Sequence, residues 1–146
     1  GYRPFVRIEE SKRIRTVNDF DAFLLGHLHG LKYSDEFRNY LERRREKGQL
    51  VIASDTKSLL NLLTRKRIDV FVSITDTIWW QAKALNLTNE IKYLDYDVKT
   101  SEYFVTLSKR SERVKEKDKF MSQIDSCIKA TKTSGLYQSI IDKYKF

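Results

Sequence analysis

The chain has 146 residues, enough for a folded domain, and its 40% hydrophobic content with one proline and five glycines excludes a disordered or collagen-like polymer. Its 28 Lys and Arg against 20 Asp and Glu leave a net charge of +8, which favours anionic partners in general without selecting one. The single Cys127 excludes an internal disulfide and a multi-cysteine zinc site and leaves the redox compartment open.

No run approaches the roughly 18 to 20 apolar residues of a membrane span, and residues 1–20 lack the apolar core of a signal peptide, as a mature secreted chain would too. In chain order, Pro4 to Ile8 alternates Phe5, Val6 and Ile8 with arginines and reads as an extended segment too exposed to be a core strand. A polar loop from Glu9 to Arg15 follows. Ala22-Phe23-Leu24-Leu25 is an apolar run of the length of a parallel strand buried on both faces, with Gly26 and Gly30 as punctuation after it. Ser34-Asp35-Glu36 then begins a helix with a cap and acidic residues at its positive end. Phe37, Tyr40 and Leu41 form its buried face, Arg43, Arg44, Arg45 and Lys47 complement its negative end, and Gly48 closes it.

Leu50 to Ala53 is a second short strand, and Ser54-Asp55-Thr56 caps a helix whose face is Leu59, Leu60, Leu62 and Leu63. Arg65-Lys66-Arg67 break that helix. Ile68 to Ile74 reads as a buried strand that runs into Thr75-Asp76, the start of a helix through Leu85 carrying Trp79, Trp80 and Ala82 to Ala84. A loop at Asn86 to Asn89 precedes a short strand at Ile91 to Leu94, and Tyr103 to Leu107 has the aromatic and β-branched content of another. From Ser111 the spacing of Val114, Met121, Ile124, Cys127, Ile128 and Thr131 predicts one long amphipathic helix, with Cys127 as a buried structural thiol. Gly135 separates it from a final helix bearing Leu136, Tyr137, Ile140, Ile141 and Tyr144. This order predicts an α/β fold, a three-layer lobe with a mostly parallel sheet between helices, followed by C-terminal helices.

Few patterns carry chemistry. His27 and His29 lie two apart without a third ligand at a metal-site spacing. No Gly-x-Ser-x-Gly elbow, Walker loop or dinucleotide fingerprint is present, and Gly26-x-x-x-Gly30 lacks the Lys-Ser/Thr of a phosphate loop, so no catalytic residue, metal or cofactor is expected. The basic clusters at Arg43 to Lys47, Arg65 to Arg67 and Lys109 to Lys119 fall at helix ends and on polar helix faces, where dipole and solvation account for them.

One geometry recurs. An apolar strand gives way to small or polar residues and a helix at Gly30 to Ser34, at Ser54 to Thr56 and at Ser73 to Thr77. In a parallel sheet these turns line one edge and offer N–H groups, hydroxyls and positive helix ends to a small anionic or zwitterionic ligand. Gly30, Lys32, Tyr33, Asp55, Ser73, Thr75 and Asp76 are the expected ligand-binding residues, with Lys32 supplying charge, Asp55 and Asp76 accepting an ammonium, and Tyr33 or Trp79 a stacking wall. Taken singly, Ser54, Asp55, Thr75 and Asp76 read as helix caps.

The segment Leu59 to Ile74, the run Tyr103 to Leu107 followed by a lysine and a long helix, and the ending Gly135-Leu136-Tyr137-Gln138-Ser139-Ile140-Ile141-Asp142-Lys143-Tyr144 together resemble the bacterial extracellular solute-binding proteins of family 3, which deliver polar amino acids to ABC transporters. The resemblance covers roughly Asn18 to the C-terminus. It implies a two-lobed periplasmic clamp closing by a hinge, served by a transporter permease. Residues 1–18 would be the crossing or hinge segment, 19–107 the second lobe, and 108–146 the helices returning to a first lobe that lies mostly outside this chain. The chain departs from the pattern at Leu31, where the family commonly has threonine after the glycine matched by Gly30, and at Ile74, about where the family has an amine-binding aspartate. The family's carboxylate-clamping arginine belongs to the first lobe. Three other readings stay open: the ligand-sensing domain of a signalling receptor, a basic nucleic-acid or protein interaction module, and a homodimer or domain swap through the C-terminal helices.

Overall fold

The computed structural model describes residues 1–99 and 104–143. The chain divides into two compact units, Gly1–Ser101 and Glu102–Phe146.

The first unit is built on a five-stranded sheet of order β3-β2-β4-β1-β5. Its strands are β1 (Tyr2–Arg7), β2 (Leu25–Leu28), β3 (Leu50–Ala53), β4 (Val70–Ile74) and β5 (Ile91–Tyr93). β2 pairs in parallel with β3 and with β4, while β1 runs antiparallel to β4 and β5, so four strands share one direction and β1 opposes them. Alternation along each strand feeds two cores. Tyr2, Val6, Leu25, Val70 and Val72 pack with Phe20 of a 3-10 helix (Val17–Ala22) and with Phe37, Tyr40 and Leu41 of α1 (Asp35–Glu46). Phe5 and Phe71 pack with Leu59, Leu60 and Leu63 of α2 (Thr56–Thr64) and with Ile78 and Ala82 of α3 (Thr75–Ala84). Helices therefore cover both faces of the sheet, the three-layer α/β lobe expected from the element order.

Local chemistry places the helices. The Ser34 hydroxyl accepts the Phe37 N–H at 3.4 Å at the start of α1, and Arg43, Arg44 and Arg45 occupy its last turn. Asp55 accepts the Ser58 N–H at 2.7 Å at the start of α2. α3 follows β4 with no intervening loop, and its N-cap Ile74 provides no side-chain cap.

Several expectations need correction. Pro4 to Ile8 belongs largely to β1, an interior strand between β4 and β5, and Phe5 and Val6 are fully buried. The arginines that gave it an exposed character are accommodated at the strand ends. Arg7 bonds the carbonyls of Leu63 and Ile68 and the Asp69 carboxylate at 2.9 Å, and Arg3 bonds Asp95. The strand sought at Ala22 to Leu25 begins only at Leu25, because the preceding residues form the 3-10 helix, and Gly26 lies inside it. Arg44 is buried instead of lining a polar helix face.

In the second unit, α4 (Lys117–Thr133) and α5 (Leu136–Asp142) pack on each other across Gly135. α4 starts six residues later than Ser111, so Val114 precedes it. Neither helix holds a buried residue, and Cys127 is exposed, not a buried thiol. Phe104 to Leu107 is not a strand, since β propensity without a ladder partner does not order a segment, and Phe104 and Val105 are exposed. Tyr103 and Tyr144, which the sequence placed in a strand and the last helix, lie outside the described residues.

Candidate functional site

β3, β2 and β4 are adjacent and parallel, so their C-terminal ends, and the turns leaving them, stand side by side. Leu28 faces Ala53 in register, and Gly26 faces Phe71. The first residues of the antiparallel β1 reach the same edge: Tyr2 faces Ile74, and the Thr75 N–H donates to the Gly1 carbonyl at 3.2 Å.

Of the residues expected to bind ligand, the structure brings Gly30, Lys32, Asp55, Thr75 and Asp76 to this edge with solvent access. Gly30 adopts φ +89°, a left-handed turn that carries the chain from β2 toward α1 and costs glycine nothing. Asp55 is occupied as a cap, and its hydrogen bonds from Ser58 hold the carboxyl below its ordinary range. The α3 start differs: Ile74 provides no side-chain cap, the Thr75 N–H is taken by the Gly1 carbonyl, and the exposed Asp76 follows in the first turn. Lys32 is exposed, and its carbonyl accepts from the Lys99 ammonium at 3.1 Å.

Tyr33 and Ser73 sit deeper. Tyr33 is 6% exposed, its ring meets Tyr2 and Phe37 edge-on, and its hydroxyl donates to the Val72 carbonyl at 3.0 Å. Burial pushes its phenol well above the ordinary range. Ser73 is 2% exposed. Both belong to the floor beneath the edge. Trp79 packs edge-on against Phe5 and Tyr93, whereas its neighbour Trp80 is 64% exposed.

Two features were not anticipated from the residues. His27, on β2 beside the Tyr33 ring, has a buried Nδ1 without a hydrogen-bond partner, and burial lowers its pKa from the ordinary value. At the opposite ends of the strands, Asn18, Asp21, Tyr40, Arg43, Arg44, Lys47 and Gln49 line a separate cleft. The basic cluster Arg43 to Lys47 was the one local signal of it, and its other parts come from the 3-10 helix and the entry to β3. Among the described residues no group of three or more His, Cys, Asp or Glu side chains converges as a metal site, and no helix is long and apolar enough to cross a membrane.

The sheet order and the two helical layers define a three-layer α/β lobe, a fold shared with the lobes of periplasmic binding proteins. Solved structures bear this out at the level of fold. The L-cystine solute receptor of Neisseria gonorrhoeae, in its unliganded open conformation, matches over 99% of this chain and 55% of its own with a TM-score of 0.64 at 16% identity. A histidine kinase sensor domain with similarity to periplasmic binding proteins matches over 99% and 58% at a TM-score of 0.57 and 15% identity. An ancestral cyclohexadienyl dehydratase matches over 99% and 56% at 0.51 and 17%. This chain thus spans a little over half the length of these proteins. No family model and no curated protein matches the sequence.

Proposed function

We propose that the chain is the ligand-holding lobe of a solute-binding clamp, taking a small zwitterionic or anionic solute of the polar amino acid class at Gly30 to Tyr33, Asp55 and Ser73 to Asp76. One observation carries the proposal: three strand-to-helix turns in register on one edge of β3, β2 and β4, with an uncapped helix start at α3. The positive end of α3 suits a carboxylate, Asp76 suits an ammonium, and Lys32 adds an adjustable positive charge. A single lobe presents such groups on an open edge, and a facing lobe closes over them. In this reading the protein works in the periplasm, delivers its solute to a transporter permease, and binds without chemistry.

Calorimetric titration of the folded protein with polar amino acids and small dicarboxylates tests the reading. Saturable binding weakened by Asp76→Ala supports it; no heat and no thermal shift with any of them sinks it.

The histidine kinase sensor domain with the same fold favours a second reading, a sensory lobe of a receptor. A membrane segment and a kinase or cyclase domain in the same reading frame decides for that one. The dehydratase among the neighbours is a reminder that a fold does not settle function. Turnover of any solute that binds, followed by chromatography of the mixture, separates binding from catalysis.

A further inference from the structure

A second cleft lies at the other ends of the strands, between the 3-10 helix, the last two turns of α1 and the residues entering β3. Its volume is about 290 Å³, and Asn18, Asp21, Tyr40, Arg43, Arg44, Lys47 and Gln49 line it. Three cations face one carboxylate there, so 3 − 1 leaves a local charge of +2.

Helix-dipole complementarity explains why cations gather in the last turn of α1. It does not explain their arrangement. Arg44 is fixed with only 8% of its side chain exposed: Nε donates to the Gln49 carbonyl at 3.2 Å, Nη1 to Asp21 at 3.1 Å and to the Tyr40 hydroxyl at 3.3 Å, and Nη2 to the Phe23 carbonyl at 2.9 Å. Asp21 accepts from Tyr40 at 2.8 Å and from Arg44 through the same oxygen, Oδ1. The Arg43 and Arg44 guanidinium groups lie 5.8 and 5.9 Å from the centroid of the Tyr40 ring, which sets the direction from which Arg43 enters. A buried guanidinium held from four sides supplies a positive wall, and the exposed Arg43, Lys47, Asn18 and Gln49 supply donors at the mouth. Exposed donors gathered around a fixed positive charge suit a tetrahedral, multiply charged oxyanion.

We propose that this cleft is a binding site for a phosphate group, distinct from the strand-edge site and independent of its reading. The group is either free phosphate, or a small phosphomonoester, or the headgroup of an anionic lipid at a membrane surface; the chemistry recognised is the same. Arg43 and Lys47 contact the oxyanion, the amides of Asn18 and Gln49 complete its shell, and Arg44 sets the potential and holds the wall in place.

The test uses the whole chain in three forms: wild type, R43A/K47A, and the charge-matched R65A/R67A, whose substitutions lie outside the cleft. Inorganic phosphate is titrated calorimetrically at constant ionic strength, and binding to phosphatidylcholine vesicles with and without phosphatidylglycerol is followed by co-sedimentation. Saturable phosphate binding that weakens about tenfold or more in R43A/K47A and stays within about twofold in R65A/R67A assigns a soluble phosphate ligand, as loss of two charge-assisted contacts requires. Vesicle binding with the same pattern across the variants assigns the lipid headgroup. Absence of both, or equal losses in the two double variants, overturns the site and leaves only net charge at work. Denaturation midpoints of the variants, and R43Q/K47Q as a second pair, separate loss of binding from loss of fold.

Discussion

The Cδ1 of Ile68 occupies the space that a side chain at Gly26 would need, and the Leu59 Cδ2 stands 3.2 Å from the same point. β2 can therefore lie flat against α2 and the turn before β4 only because position 26 has no side chain. Ile68 and Leu59 are both fully buried, so a shift of either side chain must be absorbed within the core. Gly26→Ala is expected to cost about 1–3 kcal/mol through overpacking, read as a lower urea midpoint with an unchanged slope. Because β2 leads directly into Gly30 to Lys32, the same substitution should also weaken the solute binding proposed for the strand edge.

Arg7 and Asp69 join β1 to the start of β4. The Asp69 carboxylate accepts from Arg7 at 2.9 Å through one oxygen and from the Leu24 N–H at 2.9 Å through the other. Burial alone would raise this carboxyl, but the Leu24 N–H and the Arg7 guanidinium outweigh it and hold the pKa below its ordinary value. A depressed folded-state pKa means that the contribution is complete above the unfolded-state value, about 4, and is lost as pH falls through the lower folded-state value. Asp69→Asn should flatten the acid limb of the stability–pH curve. Removing the partner with Asp69→Ala should cost roughly 1.5–3 kcal/mol near neutral pH, the scale of a hydrogen bond to a charged group.

Arg44 gives a sharper case. Arg44→Met keeps the bulk but takes the arginine donors from the Phe23 and Gln49 carbonyls and leaves the Asp21 carboxylate with the Tyr40 hydroxyl alone. A loss of about 2–3 kcal/mol follows from the unmet groups, and Arg44→Lys should recover only part of it, since one ammonium cannot reach acceptors that the guanidinium serves through three nitrogens. Chemical denaturation of the two variants side by side checks the order: wild type, then lysine, then methionine.

The sequence revealed what is periodic and local. Ser34 before Phe37, the Leu59–Leu60–Leu63 face and the Thr75 helix start are each set by residues a few positions apart, and their strand-helix order was enough to imply the lobe. β1 was missed because its burial is created by distant partners: Asp95 receives Arg3, and Asp69 with two carbonyls receives Arg7, contacts 92 and 62 residues away. Phe104 and Val105 show the converse, strong β propensity in residues that stay exposed. At the strand edge, residue type predicted proximity but not depth. Gly30, Lys32, Asp55, Thr75 and Asp76 reach solvent there, while Tyr33 and Ser73 fell on inward positions that period alone did not reveal.

Tyr33 predicts the alkaline limb. Burial raises its phenol above the ordinary value, and its hydroxyl is spent on the Val72 carbonyl. A raised folded-state pKa contributes stability below the unfolded-state value, about 10, and that contribution is lost as pH rises from there through the folded-state value. The phenolate absorbance of Tyr33 should therefore appear only with global unfolding. Tyr33→Phe should lower stability by about 1 kcal/mol at neutral pH for the lost hydrogen bond and shift the alkaline transition upward relative to its own neutral stability.

The final prediction concerns the two units. All the buried side chains of the described residues lie between Tyr2 and Val98, and both hydrophobic clusters are complete within Gly1–Ser101. α4 and α5 contribute none, and their larger apolar residues Phe120, Ile128, Leu136, Tyr137 and Ile140 are exposed. Hydrophobic burial is the main term that offsets chain entropy, so the two fragments should behave differently when separated. The fragment Gly1–Ser101 is expected to unfold in one cooperative urea transition with a midpoint close to that of the whole chain. The fragment Glu102–Phe146 should show helical far-ultraviolet dichroism that melts gradually, without a cooperative step. A first fragment that fails to fold would show that its sheet needs the C-terminal helices for stability, and would move the boundary of the folding unit beyond Ser101.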